Sequence, residues 1–581
     1  MRHVYTILLL VLSIPAQALT IPQGTLYFDN NKTLYNAVCF VYGSDQRQET
    51  YVTPMTLDGN KWRVDIPQTV PDMYRFTFVS GDMREGLYTQ DFNAFKDSIS
   101  HQAELMRTAT SDVQMMPGDI YVPTSGNNWA QGTWMSVPAW ESQSGEGQAQ
   151  ISGTLPVVYI NTNGTAITDT ETQVEMSAYI DPMQSGYEAL GSAQTPVTGT
   201  IKGRGNWTWT GFDKKPYKLK FAEKTKVLGM PNNRHWCLQA NADDYLGFLK
   251  MPAGFYISKA VGLRWTPRMR PVELVLNGNY MGLYFLTEHV RIAGHRVKIH
   301  EQADNETHPD SITGGWLVEI DNYPSANNIE FMEGNGQQVM ISLREPSSLS
   351  IQQRSYLENQ IFALNEALYA SSAEQLKNLL DIDEAARYYL VQEIMEDCES
   401  YHGSCFLYKD RDSLGIADKW KFGPVWDFGN AYDRHLEQWI YDGPTWPQYW
   451  IGQLATWPDF QNAVKEQWWV YYHTQKDSVR AKIQSFAEQI SIAAQNDAAV
   501  WSGTQNYSDN SNMSSKSGDF LWRYDWRIQW LYSQWGEGSK PATWDVSNTQ
   551  QDDIRCTKVL LDGRIYIQRD GRIYTITGQQ L

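Results

Sequence analysis

Three runs in this chain carry residues whose types and spacing suit chemistry on phosphate. The first, GRGNWTWTGFDKKPYKLKF (residues 203–221), sets Gly203 and Gly205 on either side of Arg204, so the backbone there can approach a ligand closely. A basic strand follows, with Tyr217, Leu219 and Phe221 on one face and Lys218 and Lys220 on the other. Amides of a glycine-rich turn together with Lys and Arg make a phosphate grip. The plain alternative is a solvated basic strand after a turn, since neither Walker spacing nor G-x-G-x-x-G is present. The second run, KWKFGPVWDFGNAYD (419–433), delivers Asp427 at the end of an apolar strand, and Phe428-Gly429 lets the chain turn. A carboxylate so placed reaches a Mg2+ ion bridging phosphates, or else simply caps a turn. The third, QEIMEDCESYHGSCFLYKD (392–410), crowds Glu396, Asp397 and Glu399 at the end of a helix. Crowded carboxylates repel unless a cation or proton separates them. Acids at a helix C-terminus also oppose its dipole, so a metal or general-base role suits them better than a solvated helix end.

The elements around these runs divide the chain. Residues 20–122 hold short alternating segments (GTLYFDN, NAVCFVYG, KWRVDIP, YRFTFVSGD) separated by turn residues, which predicts an all-β sandwich. Residues 123–150 are rich in Ser, Gly, Gln and Asn and read as a linker, with three Trp able to dock on a neighbour. From 151 to 545 the pattern is α+β. PVELVLNGNYMGLYFLTEHV (271–290) predicts a hairpin turning at Asn277-Gly278. IQQRSYLENQIFALNEALYA predicts a helix with Leu357, Ile361, Leu364 and Leu368 inward. DEAARYYLVQEIMED, FQNAVKEQWWVYYHTQ and VRAKIQSFAEQISIAAQ predict further helices. The tail, 546–581, repeats DGRIYI as DGRIYT and predicts β structure, either an edge hairpin or a sorting extension.

Taken in order, RGN with KKPYKLKF, NRHWCLQANADDYLGFLK (233–250), LVLNGNYMGLYFLTE (274–288), GGWLVEID (314–321) and WKFGPVWDFGNAYD resemble the CotH family of atypical protein kinases over nearly 400 residues. The resemblance implies a bilobed atypical-kinase-like domain over 151–545. It also implies transfer of phosphate from ATP to serine of a secreted or coat protein with a divalent metal, Mg2+ or Mn2+. Position by position, Asp427 matches the metal-binding aspartate of a WDFD-like motif. Arg204 and Lys215 match positions that hold phosphates, with Lys218 as the second choice of lysine. Glu288 matches the acid closing the GLY-x-L-x-E strand, near the nucleotide base or ribose. Where relatives show Asn-x-Asp, a short loop and Asn before an aromatic strand, this chain has Asp397, Glu399 and Ser404. The resemblance thus makes Glu399, or Asp397 in its place, the catalytic carboxylate, and Ser404 a metal ligand beside Asp427. The longer Glu side chain moves its carboxylate by more than about an ångström, and misplacement on that scale costs roughly a hundredfold in rate.

The sandwich segment weakly resembles starch-binding-type carbohydrate-binding modules, with Trp62 and Tyr35 as candidate stacking rings; the alternative packs them in the core. The tail resembles the C-terminal extension of exported Bacteroidetes proteins. Arg2, the apolar run from Ile7 to Ile14 and Ala16-Gln17-Ala18 read as a signal peptide, residues 1–18, so the protein is expected in the periplasm, at the cell surface or outside the cell. A net charge of −18 disfavours nucleic acid as a partner, and no apolar run reaches membrane-spanning length. Five Cys without repeated spacing form no disulfide framework, although Cys398 and Cys405 stand close enough in sequence to pair. The leading expectation is an exported serine kinase acting on a partner protein with an exposed serine. Its rivals are a weak or inactive surface scaffold that binds glycan through the N-terminal module, and a glycan-active enzyme.

Overall fold

The computed structural model describes residues 151–321, 328–332, 338–370, 373–413, 415–434, 436–442 and 450–542, with separate segments between 20 and 140 and between 557 and 574. The chain forms two compact units. The first comprises Met1–Gly247, Met269–His289 and Glu488–Lys516; the second comprises Phe248–Arg268, Val290–Ala487 and Ser517–Leu581. The signal-peptide segment and Tyr35 lie outside the described residues.

At the start of the first unit a five-stranded sheet and a four-stranded sheet are built from residues 24–136. Trp62, a candidate sugar-stacking ring, is only 9% exposed and packs with the core instead. The segment Asn128–Ser136, within the span read as linker, pairs antiparallel with Asp119–Ser125 as the edge of the five-stranded sheet. Trp140 is buried and donates its indole N–H to Asp29 at 2.7 Å.

The first unit also contains a closed seven-stranded barrel. Its strands are β1 (Val157–Asn161), β2 (Val174–Asp181), β3 (Val197–Gly203), β4 (Tyr217–Val227), β5 (Met230–Gln239), β6 (Met269–Leu276) and β7 (Asn279–Glu288), ordered β1-β2-β3-β4-β5-β7-β6. β1 and β6 run parallel and close the ring, which leaves no open edge. Alternation decides which face is inside: Val174, Met176, Ala178 and Ile180 of β2 are buried, and Tyr217, Leu219 and Phe221 of β4 join the same core. Asn277 and Gly278, at φ 51° and 83°, make the tight β6–β7 turn that the Asn-Gly pair predicted.

The second unit centres on an antiparallel sheet of β8 (Trp316–Ile320), β9 (Asn328–Met332), β10 (Gln338–Glu345), β11 (Cys405–Lys409) and β12 (Lys421–Phe422), ordered β9-β10-β8-β11-β12. Its helices are α1 (Lys250–Ala260), α2 (Ile351–Tyr369), α3 (Ala373–Leu379), α4 (Ile382–Met395), α5 (Pro458–Thr474), the first part of α6 (Lys476–Trp501) and most of α7 (Met513–Trp535). α2 starts at a capping box, Ser350 with Gln353, and buries Leu357, Ile361, Leu364 and Leu368 as its spacing predicted. α4 is buried along most of its length and packs on α1 and α5. Glu384, Gln392 and Glu393 are buried along with its apolar and aromatic residues.

Cys237, Cys398 and Cys405 are free and buried, so Cys398 and Cys405 are not paired. No helix among the described residues is long and apolar enough to cross a membrane. The tail forms a three-stranded meander over Thr557–Leu561, Arg564–Arg569 and Arg572–Tyr574.

Candidate functional site

The candidate residues fall into two groups, one in each unit. In the first unit, Arg204 follows the end of β3, where its backbone N–H donates to Pro216 at 3.2 Å. Its guanidinium donates to the Gln239 side chain at the end of β5. Gly205, at φ +80°, makes the turn that follows; a Cβ there would lie 2.1 Å from the Thr208 hydroxyl. Lys215 donates to the Trp209 carbonyl at 2.6 Å and lies over the Trp209 ring. Lys218 is the second residue of β4, in register with Lys202 on β3 and Cys237 on β5. Glu288, fully buried, closes β7 opposite Trp236. Since Trp236 points into the barrel core and Cys237 beside it points the other way, the register puts Glu288 and Lys218 on opposite faces.

Lys214, which sequence reasoning passed over for its neighbour, is the buried member of the lysine doublet. Its ammonium donates to the Leu283 carbonyl and to Asp497 of α6, both at 2.7 Å. Asp497 also accepts from the Leu283 amide and the Tyr507 hydroxyl, each at 2.7 Å. The doublet was the only local signal, because the partner lies 283 residues away in the chain.

The second group gathers at the end of α4. Glu396 ends the helix in the left-handed region, φ 49°, and turns the chain so that Asp397 enters the interior. Asp397 is 1% exposed, and its Oδ2 has no hydrogen-bond partner. Burial pushes its carboxyl well above the usual carboxylate range, and the charges of Glu399 and Asp427 push it further. Those three acids of the second and third runs therefore share one electrostatic field. Glu399, part-buried, accepts the side-chain amide of Asn430. Asp427 is exposed, and its Oδ1 accepts the Gly429 N–H at 3.1 Å. Ser404, at φ 53° before β11, makes no hydrogen bond to any of the three.

What holds this loop in place is buried around it. Lys250 at the start of α1 donates to the Gly429 carbonyl at 2.7 Å and to Asp433 at 2.6 Å. Its charge partly offsets the negative field on Asp397. Phe428 is buried against α1, where it meets Phe255 edge-on and occupies the space beside Gly254. Glu319, in the wholly buried β8, receives the Arg344 guanidinium at 2.5 Å, and Asp321 receives its other arm at 2.5 Å. Burial pushes the Glu319 carboxyl up to about 7; Arg344 opposes this, while Asp321 and Asp427 add to it. Glu319 is thus a fourth acid in the field of Asp427. The sequence signal for it was a Glu inside an otherwise apolar strand, WLVEI.

The family profile described as CotH kinase protein matches residues 201–521, more than half of the chain. The chain belongs to the CotH kinase family. The matched span takes in both groups of candidate residues, from Arg204 to Asp427. No curated protein matches this chain.

Kinase chemistry of this family calls for a divalent metal, so the acids must suit one. Among the described residues no group of three or more His, Cys, Asp or Glu is disposed to hold a metal ion. Mg2+ needs less: one or two carboxylates, with phosphate oxygens and waters completing its shell. Asp427 and Asp397 supply hard oxygen donors of that kind, and the unpartnered Asp397 Oδ2 is the atom here most in need of a cation or a proton.

Proposed function

We propose that this chain is an exported CotH-family protein kinase that transfers the terminal phosphoryl group of ATP to a serine of a secreted or surface protein. The observation that carries the reading is the convergence of Asp397, Glu399 and Asp427 in one field, with a buried carboxylate oxygen left unpartnered. In this reading Asp427, with Asp397, holds Mg2+ or Mn2+, which when bound neutralises charge on the phosphates. Glu399, oriented by Asn430, accepts the proton of the attacking serine hydroxyl as the oxygen–phosphorus bond forms and ADP leaves. The resemblance assigns Arg204, Lys215 and Lys218 to the phosphates and Ser404 to the metal; it also assigns Glu288 to the base or ribose, but Glu288 is buried on the face opposite Lys218 and does not share a ligand with it. Export rests on the signal-peptide pattern of residues 1–18 and on the tail.

One observation favours a second reading, a CotH-fold surface scaffold that binds glycan through its N-terminal module. The Lys215 ammonium is already taken up by the carbonyl and ring of Trp209.

Thermal stability of the protein with ATP and Mg2+ or Mn2+, beside Asp427→Ala, separates the two. A ligand at a hundred times its dissociation constant stabilises a fold by about 2.7 kcal/mol. A metal-dependent rise that Asp427→Ala abolishes is expected. Absence of any shift with nucleotide and metal would favour the scaffold.

A further inference from the structure

The second unit contains a cavity of about 130 Å3 whose walls include none of the acids assigned to phosphate transfer. Arg264 and Trp265, just after α1, residues 296–299, and Tyr408 of β11 with Gly423 and Pro424 are among its walls. Pro424 precedes Asp427 by three residues, about 10 Å of extended chain.

Charge in this cavity runs against the whole molecule. Four cations, Arg264, Arg296, Lys298 and Lys421, line it against three carboxylates, Glu384, Asp410 and Asp418, in a chain of net charge −18. Each carboxylate is already engaged by donors of the fold. Glu384 accepts from the Arg264 amide at 2.9 Å and from Arg387 at 3.1 Å. Asp410 accepts from the amides of His300 and Arg411, both at 2.8 Å. Asp418 accepts from the Asp410 amide and from Lys421, both at 2.7 Å.

Of the cations, Lys421 donates to Asp418 and to the Lys419 carbonyl, both at 2.7 Å, and Arg296 is buried, which leaves Lys298 and Arg264 as the exposed ones. Lys298 is exposed and has neither an ion pair nor a hydrogen bond among the described residues. The Arg264 side chain is 55% exposed; Asp381 holds one of its nitrogens at 2.7 Å and Glu384 lies 3.8 Å from a second. What the cavity offers is therefore donors and positive charge. Leu263, Trp265, Tyr408 and Pro424 give it apolar walls.

We infer that this cavity binds a small oxyanion head, a phosphate monoester or carboxylate on a short body, with Lys298 and Arg264 as its cations. A cavity of this size admits a phosphate and a few carbons. Lys and Arg around apolar walls are the usual means of holding such a group. The head can arrive on a free small molecule or on a phosphoserine or acidic side chain of a protein, and the chemistry of recognition is the same.

The test is calorimetric titration of the full-length protein with inorganic phosphate, O-phosphoserine and a phosphoserine peptide, in wild type, Lys298→Glu and Asp427→Ala. Lys298 is exposed and has no partner among the described residues, so its replacement leaves the fold intact. Saturable binding is expected that weakens at least about tenfold in Lys298→Glu and is unchanged in Asp427→Ala. Tighter binding of the peptide than of free phosphoserine assigns the head to a protein ligand, and equal binding assigns it to a free anion; both sustain the inference. No saturable binding of any probe overturns it. So does binding indifferent to Lys298→Glu, or binding lost in Asp427→Ala, which would put the anion among the phosphate-transfer acids. Failure here leaves the nucleotide-dependent shift of the proposed kinase untouched, so the two readings fail separately.

Discussion

Asn430 donates its side-chain amide to the Glu399 carboxylate, tying the loop after Asp427 to the loop after Asp397. The link orients the acid proposed as base and fixes its distance from Asp427. Glu399→Gln keeps the shape and removes the basicity. It is expected to lower kcat by about a hundredfold to ten-thousandfold, while the nucleotide-dependent thermal shift survives. Asn430→Ala leaves the base but frees it, with a loss of about a hundredfold. Transfer from labelled ATP to a serine-rich acceptor protein measures both, and full activity in Glu399→Gln would exclude it as the base.

Gly254 on α1 is small because Phe428 is there. A Cβ at 254 would lie 2.2 Å from the Phe428 ring. Gly254→Ala therefore displaces the residue next to Asp427. Overpacking of this kind costs about 1–3 kcal/mol, and the displaced loop should also weaken the metal-dependent nucleotide shift. An unfolding midpoint and a nucleotide titration on the same variant check both effects.

Arg527 of α7 is fully buried with Glu393 of α4, at 2.5 Å. It also donates to the carbonyls of Glu393, Leu436 and Gln438, each at 2.7 Å. Arg527→Met leaves Glu393 buried with its charge unpaired and three carbonyls unsatisfied. The expected loss is about 3–5 kcal/mol. Adding Glu393→Met should recover part of it, because the stranded charge is then gone. Denaturant unfolding of the single and double variants measures the coupling.

Several buried acids make stability depend on pH. Burial pushes Glu396 up to about 8, against the opposing pull of Arg527 and the Arg434 amide, and pushes Glu319 and Glu393 up to about 7. Unfolded, each returns to the ordinary range near 4.5. Between about pH 4.5 and 8 the native state therefore holds more protons than the unfolded state, and stability falls as pH rises through that window. The metal-free unfolding midpoint is expected to drop from pH 5.5 to pH 8; a flat or rising profile would contradict the raising of these carboxyls by burial.

The sequence by itself determined the local elements and the family. Alternation in YKLKF set which face of β4 is buried, Asn277-Gly278 set a hairpin, and the spacing of three and four from Leu357 to Leu368 set a helix. Each depends only on neighbours within a turn or a strand. The order of the motifs was enough to point to the CotH kinases, and the three runs named Asp397, Glu399 and Asp427 before their proximity was known. Tertiary structure alone decided the rest. Closure of the barrel rests on parallel pairing of β1 with β6, more than a hundred residues apart in sequence, which no local pattern encodes. The choice of Lys214 over Lys215 as the buried lysine depends on Asp497, and the entry of Glu319 into the field of Asp427 depends on how β8 lies beside β11. Such contacts follow from where a chain returns to itself, and burial then sets the charge state of the acids it brings together.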